Sequence, residues 1–469
     1  MKGILKYLVL VGAPVIGVLV LLQFGQGVRA PAAVGGAPGL SLDDSSAGMP
    51  HLTILLLQIA VILAAARLVG WLFRKIHQPQ VIGEMVAGIL LGPSLLGWLA
   101  PGVYTTLFPV DSLGFLSALS QIGLILFMFL VGLELDLKLL RGQGHTALLT
   151  SHVSILFPFF LGTLLALYLY PRLSDNSVRF DHFALFMGAA MSITAFPVLA
   201  RILTERNMLQ SKVGVIAIAC AAVDDVTGWC ILAGVVLLVR AGESAGSLWF
   251  TVAGSAAFIL FMIFVAQRIF ARFTALYEKR KHVSKNMLAL LLVVMLLSSW
   301  TTETLQIHAL FGAFLAGVIM PKQSEFIADI SHKLEDVAVV LLLPIFFAFN
   351  GLRTSIGLLN SPEMWLFCLL IILVAIVGKF GGSTVAARAT GVPWREASAI
   401  GILMNTRGLM ELVLLNIGLD IGVISPALFA MLVIMALVTT FMTAPVLEWI
   451  YFARLRPRAF AVAGRRVRG

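Results

Sequence analysis

The sequence predicts an all-α polytopic membrane protein. Three observations carry this: 60% of its 469 residues are hydrophobic, only 12% are charged, and the mean hydropathy is +1.00. A soluble domain is about 45–50% apolar and about 25% charged. A soluble enzyme, a disordered chain and a nucleic-acid-binding domain are thereby excluded. The formal net charge of +10 reports orientation in a membrane rather than an affinity for nucleic acid. Cys220, Cys230 and Cys368 lie in apolar runs without metal-ligand spacing, so neither a disulfide framework nor a zinc site is expected.

A membrane helix needs about 20 apolar residues. Candidate spans fall at 52–73, 79–99, 115–133, 146–170, 182–204, 213–239, 247–274, 286–303, 306–320, 335–352, 362–388, 394–418 and 423–452. That makes about 13 transmembrane helices. Ahead of them stand Lys2 and Lys6, an uncharged apolar run over residues 7–24, and a stretch rich in Gly, Ala, Pro and Ser up to Pro50. Residues 1–30 read as a cleaved signal peptide, with Ala30-Pro31-Ala32 as a weak cleavage site, or as an extra helix that stays. Both readings make 31–50 an external linker.

With that linker outside, the loops alternate. The inside loops with the inner ends of their spans and the tail 453–469 then hold 23 Lys and Arg, the outside loops four (Arg172, Arg179, Arg240 and Arg353), the leader three, and the span interiors three (Arg67, Lys379 and Arg407), which accounts for all 33. So lopsided a count supports the span list and its hand. The C-terminus is expected in the cytoplasm and the N-terminus outside if the leader is cleaved. The basic tail then faces anionic lipid.

Ionisable groups deep in a span are costly and point to function. The first case is Asp224-Asp225, set in an apolar run from Ala217 to Val226. Adjacent carboxylates repel and lose solvation, so such a group gives up its charge readily and can trade a proton for a metal cation. The alternative is a carboxylate pair tied off by structural partners. The second case is Lys379, mid-span among Gly378, Gly381 and Gly382. It needs a carboxylate, and Asp224 or Asp225 is the obvious one; the alternative is snorkelling to an interface. The third is Arg407 with Glu411, four apart on one helix face and able to pair. A structural ion pair and a functional role fit that spacing equally.

Two spans carry a break. Pro197 removes a donor and crowds the carbonyl of Ile193, with Ser192 and Thr194 beside it. Asn405-Thr406-Arg407-Gly408 interrupts the run from Ala397 to Gly418. An ordinary proline kink is the bland reading of the first. The context goes further: the triplets 146–170, 182–204, 213–239 and 362–388, 394–418, 423–452 enter the membrane from opposite sides, each with an interrupted middle helix. Inverted repeats with broken helices point to a midplane transport site.

The sequence resembles the monovalent cation:proton antiporter family, which takes in Kef-type potassium systems, bacterial sodium/proton antiporters and plant cation/proton exchangers. The resemblance covers about residues 51–452. It is carried by Gln78–Glu84 (QPQVIGE), Gly88–Ser94 (GILLGPS), Phe129–Asp136 (FLVGLELD), Ser192–Leu203 (SITAFPVLARIL), Ala222–Asp225 (AVDD), His308–Gly317 (HALFGAFLAG), Pro344–Phe347 (PIFF) and Asn405–Leu412 (NTRGLMEL). The last three and the Ser192 run are most similar to the plant exchangers.

The resemblance implies two inverted repeats with crossed broken helices. A moving core domain would comprise 146–239 and 362–452, a dimerisation domain 52–133 and 286–352, and a linker helix 247–274. It implies a homodimer that exchanges Na+ or K+ for protons across the plasma membrane by alternating access, without a cofactor and without enzymatic catalysis. Carried onto this chain, Asp225 is the main cation and proton site, and Asp224 pairs with Lys379. Thr194 and Ser192 at the first break and Asn405 at the second lie beside the cation. A monovalent cation channel, or a Kef-like efflux system gated by a separate subunit, is the alternative. Kef-type members carry a C-terminal nucleotide-binding domain, which the 17 residues 453–469 do not supply. Plant-type members often differ at the first acid, whereas Asp224 with Lys379 looks more like the sodium/proton antiporters.

Overall fold

Apolar runs of membrane length leave the backbone only one economical solution, the helix, which satisfies every N–H and C=O internally. The computed structural model describes residues 6–31, 52–76, 78–134, 145–208, 211–240, 245–270, 277, 282–305 and 308–452. The 31–50 linker beyond Pro31 and the basic tail lie outside the described residues. Among the described residues there is no strand.

In chain order the helices are α1 (Val9–Gly25), α2 (Leu52–Lys75), α3 (Gln80–Leu91), α4 (Val110–Glu134), α5 (His145–Leu173), α6 (Phe180–Ser192), α7 (Phe196–Glu205), α8 (Lys212–Arg240) and α9 (Ala245–Phe261). They continue with α10 (Lys285–Thr304), α11 (Ala309–Val318), α12 (Ser324–Glu335, running on through Asp336–Leu342 to Leu343–Arg353), α13 (Pro362–Ala389), α14 (Trp394–Met404), α15 (Leu409–Asp420) and α16 (Pro426–Phe452). Among the described residues nine helices are long and apolar enough to cross a membrane, and the pair α14–α15, bent by 43°, makes a tenth. The other three expected spans are α8, 29 residues long, the broken pair α6–α7, and α11.

Two of these differ from expectation. The run 306–320 becomes α11, whose 10 residues rise only about 15 Å and cannot cross alone. The span expected at 335–352 starts at Ser324, because the polar turn from Glu325 to Asp336 stays helical.

The helices fall into two packed groups. In one, α2 lies on α3, α3 on α12, α4 on α11 and α12, and α10 on α11. Glycines let these backbones touch: a methyl on Gly88 would collide with Phe347 and Ala348, one on Gly351 with Gly88, and methyls on Gly132 and Gly317 with the facing backbones of α11 and α4. In the other group, α5 packs against α6, α8 and α13, α8 against α14, and α13 against α16. Between the groups, Arg353 donates to Asn416 Oδ1 at 2.8 Å and pairs with Asp420 Oδ1 at 2.5 Å, and Gln78 donates to Phe441 O at 3.1 Å. Trp71, Trp300, Trp365, Trp394 and Trp449 are exposed near helix ends, where an aromatic belt meets the headgroups.

Candidate ion-binding site

The site is built where two interrupted helices meet. Helix α6 ends at Ser192, Ile193 and Ala195 turn extended (φ −74° and −85°), and α7 restarts with Pro197 in its first turn, where the missing N–H removes no helical bond. The second interruption runs from Asn405 to Gly408 between α14 and α15. The two touch directly: Ala195 N donates to Thr406 O at 3.0 Å, and Thr194 Oγ1 donates to Met404 O at 3.1 Å. Thr440 on α16 pins the second break, donating to Arg407 O at 2.7 Å and accepting from Arg407 N at 2.8 Å.

Arg407 is 1% exposed. Its guanidinium donates to Ala190 O at 2.5 Å and Met191 O at 2.7 Å, and to Glu411 Oε2 at 2.8 Å. The first two are carbonyls at the open end of α6, which carry partial negative charge and lack helical partners. The guanidinium of the second repeat therefore closes the helix end of the first. Replacing Arg407 with lysine keeps the charge opposite Glu411 and loses the fork. We expect a lower thermal midpoint, from roughly 1–3 kcal/mol of unmade buried hydrogen bonds, read on the purified protein; an unchanged midpoint would remove Arg407 from this role.

Asp224 lies on α8 and is 1% exposed. Its Oδ2 accepts from Lys379 Nζ at 2.8 Å, Thr194 Oγ1 at 2.8 Å and Ser154 Oγ at 2.7 Å, and its Oδ1 from Ser151 Oγ at 3.1 Å. Lys379 is fully buried, so it does not snorkel. It sits in a widened turn, Val377–Gly381, inside α13, a distortion found often at functional sites. Two buried ion pairs, Asp224–Lys379 and Arg407–Glu411, thus stand among the crossed breaks.

The remaining expected residues divide. Asn405 is buried beside Met404; its Nδ2 reaches Thr439 O at 3.4 Å, and its Oδ1 has no hydrogen-bond partner, which leaves an oxygen of the kind that holds an alkali cation. Ser192 gives its hydroxyl to backbone, at 2.7 Å from Gly188 O and 2.9 Å from Ile155 O, and not to Asp224. The backbone of Asp225 follows Asp224 on α8; its side chain, like that of Pro197, lies outside the described residues. Ser151 and Ser154 were missed from the sequence. Their only signal was two serines at i, i+3 in the first half of α5, which also carries Thr146, Thr150 and His152.

Residues 62–452 match the family described as "Sodium/hydrogen exchanger, transmembrane". The chain belongs to that family. This exchanger-family chain is 46% identical over 401 residues to the Na(+)/H(+) antiporter NhaS4 of Synechocystis sp., covering 85% of this chain and 98% of NhaS4. It is 42% identical over 401 residues to cation/H(+) antiporter 17 of Arabidopsis thaliana and 33% identical over 409 residues to K(+)/H(+) antiporter 1 of Saccharomyces cerevisiae, in each case over 85% of this chain, and over 48% and 46% of the relative respectively. The chain thus spans nearly all of the cyanobacterial relative and about half of the plant and yeast ones. Among solved structures, the sodium proton antiporter MjNhaP1 of Methanocaldococcus jannaschii has the same fold, with a TM-score of 0.59 at 16% identity over 85% of this chain and 96% of that one. The exchanger fold with crossed broken helices, expected from the sequence, is the fold found.

Proposed function

We propose that the chain exchanges a monovalent cation, Na+ or K+, for protons across the membrane it spans, by alternating access to the crossing of the broken helices. The observation that carries this is the Asp224 carboxylate, buried at that crossing with Lys379 at 2.8 Å and hydroxyls from α5 and the first break around it, in a chain of the exchanger family. A carboxyl site in a desolvated setting binds a proton or a metal cation, not both at full charge, and that competition couples the two flows. In this reading Asp225 is the residue that changes hands. Asp224 and Lys379 hold the frame, and Thr194 and Asn405 supply oxygens to the cation.

The group with α5, α8, α13 and α16 is the body that moves. The group with α2, α3, α4 and α12 stays and forms the homodimer contact, with α9 joining them. In this reading the chain sits in the plasma membrane with its C-terminus in the cytoplasm, an orientation that the lopsided loop charge supports. No cofactor enters the scheme. In everted membrane vesicles holding an imposed pH gradient, adding Na+ or K+ should dissipate the gradient in proportion to the chain's abundance, with Li+, Rb+ and Cs+ ranking the selectivity. A gradient insensitive to every one of these cations would overturn the reading.

A further inference from the structure

The N-terminal helix α1 is packed against the group that holds the ion site. Gly17 lies on the ring of Phe160 and Gly25 on that of Phe180, so tightly that a methyl at either would collide. The Tyr7 ring meets His152 edge-on at 5.8 Å. Lys6 Nζ donates to Ala389 O, the last residue of α13, at 2.9 Å. Despite these contacts the three helices α1, α5 and α13 do not close on one another. They leave a cavity of ≈ 460 Å³, lined by Val9, Ala13 and Pro14 of α1, Phe157 of α5, and Gly381 and Val385 of α13. A methyl on Gly381 would meet nothing within 4 Å.

The volume lies in the range of ligand pockets, about 300–1,000 Å³, and the wall is apolar. An apolar groove of this size, open on one side, forfeits the contacts its lining could make unless an apolar group fills it. In a bilayer the apolar solvent at hand is the acyl chain. The two ends of the slot are not alike. One helical turn beyond Val9 stands Lys6, and one turn beyond Val385 stands Arg388, both exposed. Lys6 uses one of its three hydrogens on Ala389 O and keeps two. An apolar slot with two cations at one mouth is the complement of an amphiphile with an anionic head. By the loop-charge count that mouth faces the basic side of the membrane, where anionic lipid draws basic residues.

We propose that α1, α5 and α13 form a binding site for an anionic phospholipid, with one acyl chain in the slot and the phosphate beside Lys6 and Arg388. The lipid fastens α1 to the body of the protein. One wall of the slot, Val377 to Gly381, is also the widened turn that carries Lys379, so the lipid supports the backbone behind the buried ion pair. The proposal rests on the membrane-spanning reading with α1 kept as a helix, and not on cation exchange.

The test is native mass spectrometry of the full-length chain equilibrated with phosphatidylglycerol or phosphatidylcholine. The wild type should retain phosphatidylglycerol in preference to phosphatidylcholine, and Lys6→Gln or Arg388→Gln should each lower that preference roughly fivefold. Gly381→Leu fills the slot from α13 and Ala13→Phe fills it from α1, and each should remove the bound lipid. The thermal midpoint of Gly381→Leu should hold or rise, since leucine is the better helix former. Two fillings from opposite walls keep the test decisive if one variant folds poorly. Equal retention of the two lipids by the wild type, or undiminished phosphatidylglycerol on a folded filled variant, would overturn the proposal. Neither readout involves cation flux, so failure here leaves the exchange reading standing.

Discussion

Asp225→Asn should abolish cation-driven proton movement in everted vesicles while the protein still inserts, folds and elutes as the wild type does. The expectation follows from how thoroughly Asp224 is engaged. Its two oxygens already take a lysine ammonium and three hydroxyls, and a carboxylate so held has little freedom to bind and release a substrate. The next residue on α8 is a second aspartate. Asparagine keeps the size of the side chain and removes its charge and its titration, so it removes the competition on which coupling depends. Loss to the level of vesicles lacking the protein supports Asp225 as the exchanging group. Residual cation-coupled proton flux in the variant would move that role elsewhere.

The second large effect is on stability. Lys379→Gln leaves Asp224 charged and buried with hydroxyl donors alone, and Asp224→Asn leaves a lysine ammonium with no carboxylate at 0% exposure. Breaking a buried pair from either side costs roughly 3–5 kcal/mol, while removing both partners together costs far less. Each single variant should therefore show a much reduced thermal midpoint, and the double variant should regain a large part of it. The coupling between the two positions is the quantity to extract. If Lys379 only holds the frame, the folded fraction of Lys379→Gln still exchanges cations for protons at the wild-type ratio. A changed ratio would show that the lysine itself carries charge through the cycle. Additive losses in the double variant would mean that the pair seen at 2.8 Å contributes nothing as a pair.

Much of the site was legible because a charge or a proline in an apolar run stands out against its surroundings. Asp224, Lys379, Arg407, Glu411 and both breaks were found that way, and Asp224 with Lys379 came together as expected. Serines do not stand out so. Ser151 and Ser154 sit at a spacing that membrane helices use routinely to bond their own carbonyls, and only the approach of α5 to α8 turns them toward a carboxylate. Ser192, at the first break, gives its hydroxyl to Gly188 O and Ile155 O, a local backbone geometry that its sequence neighbours do not reveal. In the fold, hydropathy located α11 but not its length, since ten strongly apolar residues and a full span look alike once the flanking residues are mild. It also hid the first part of α12, where the charges of Glu325, Asp329, Lys333 and Glu335 masked a helix that does not stop. Neither error moves the ion site, because both lie in the other helix group.

The glycine contacts in that other group have a mechanical consequence. Where Gly88 of α3 meets Gly351 of α12, and Gly132 of α4 meets Gly317 of α11, there is no side-chain layer to act as a lubricant. Backbones interlocked at this distance cannot slip by a fraction of a turn without atoms overlapping. These four helices form a stiff chassis. Under the proposed alternating access, displacement is taken up at the seam crossed by Arg353 and Gln78, where polar contacts can be remade one at a time.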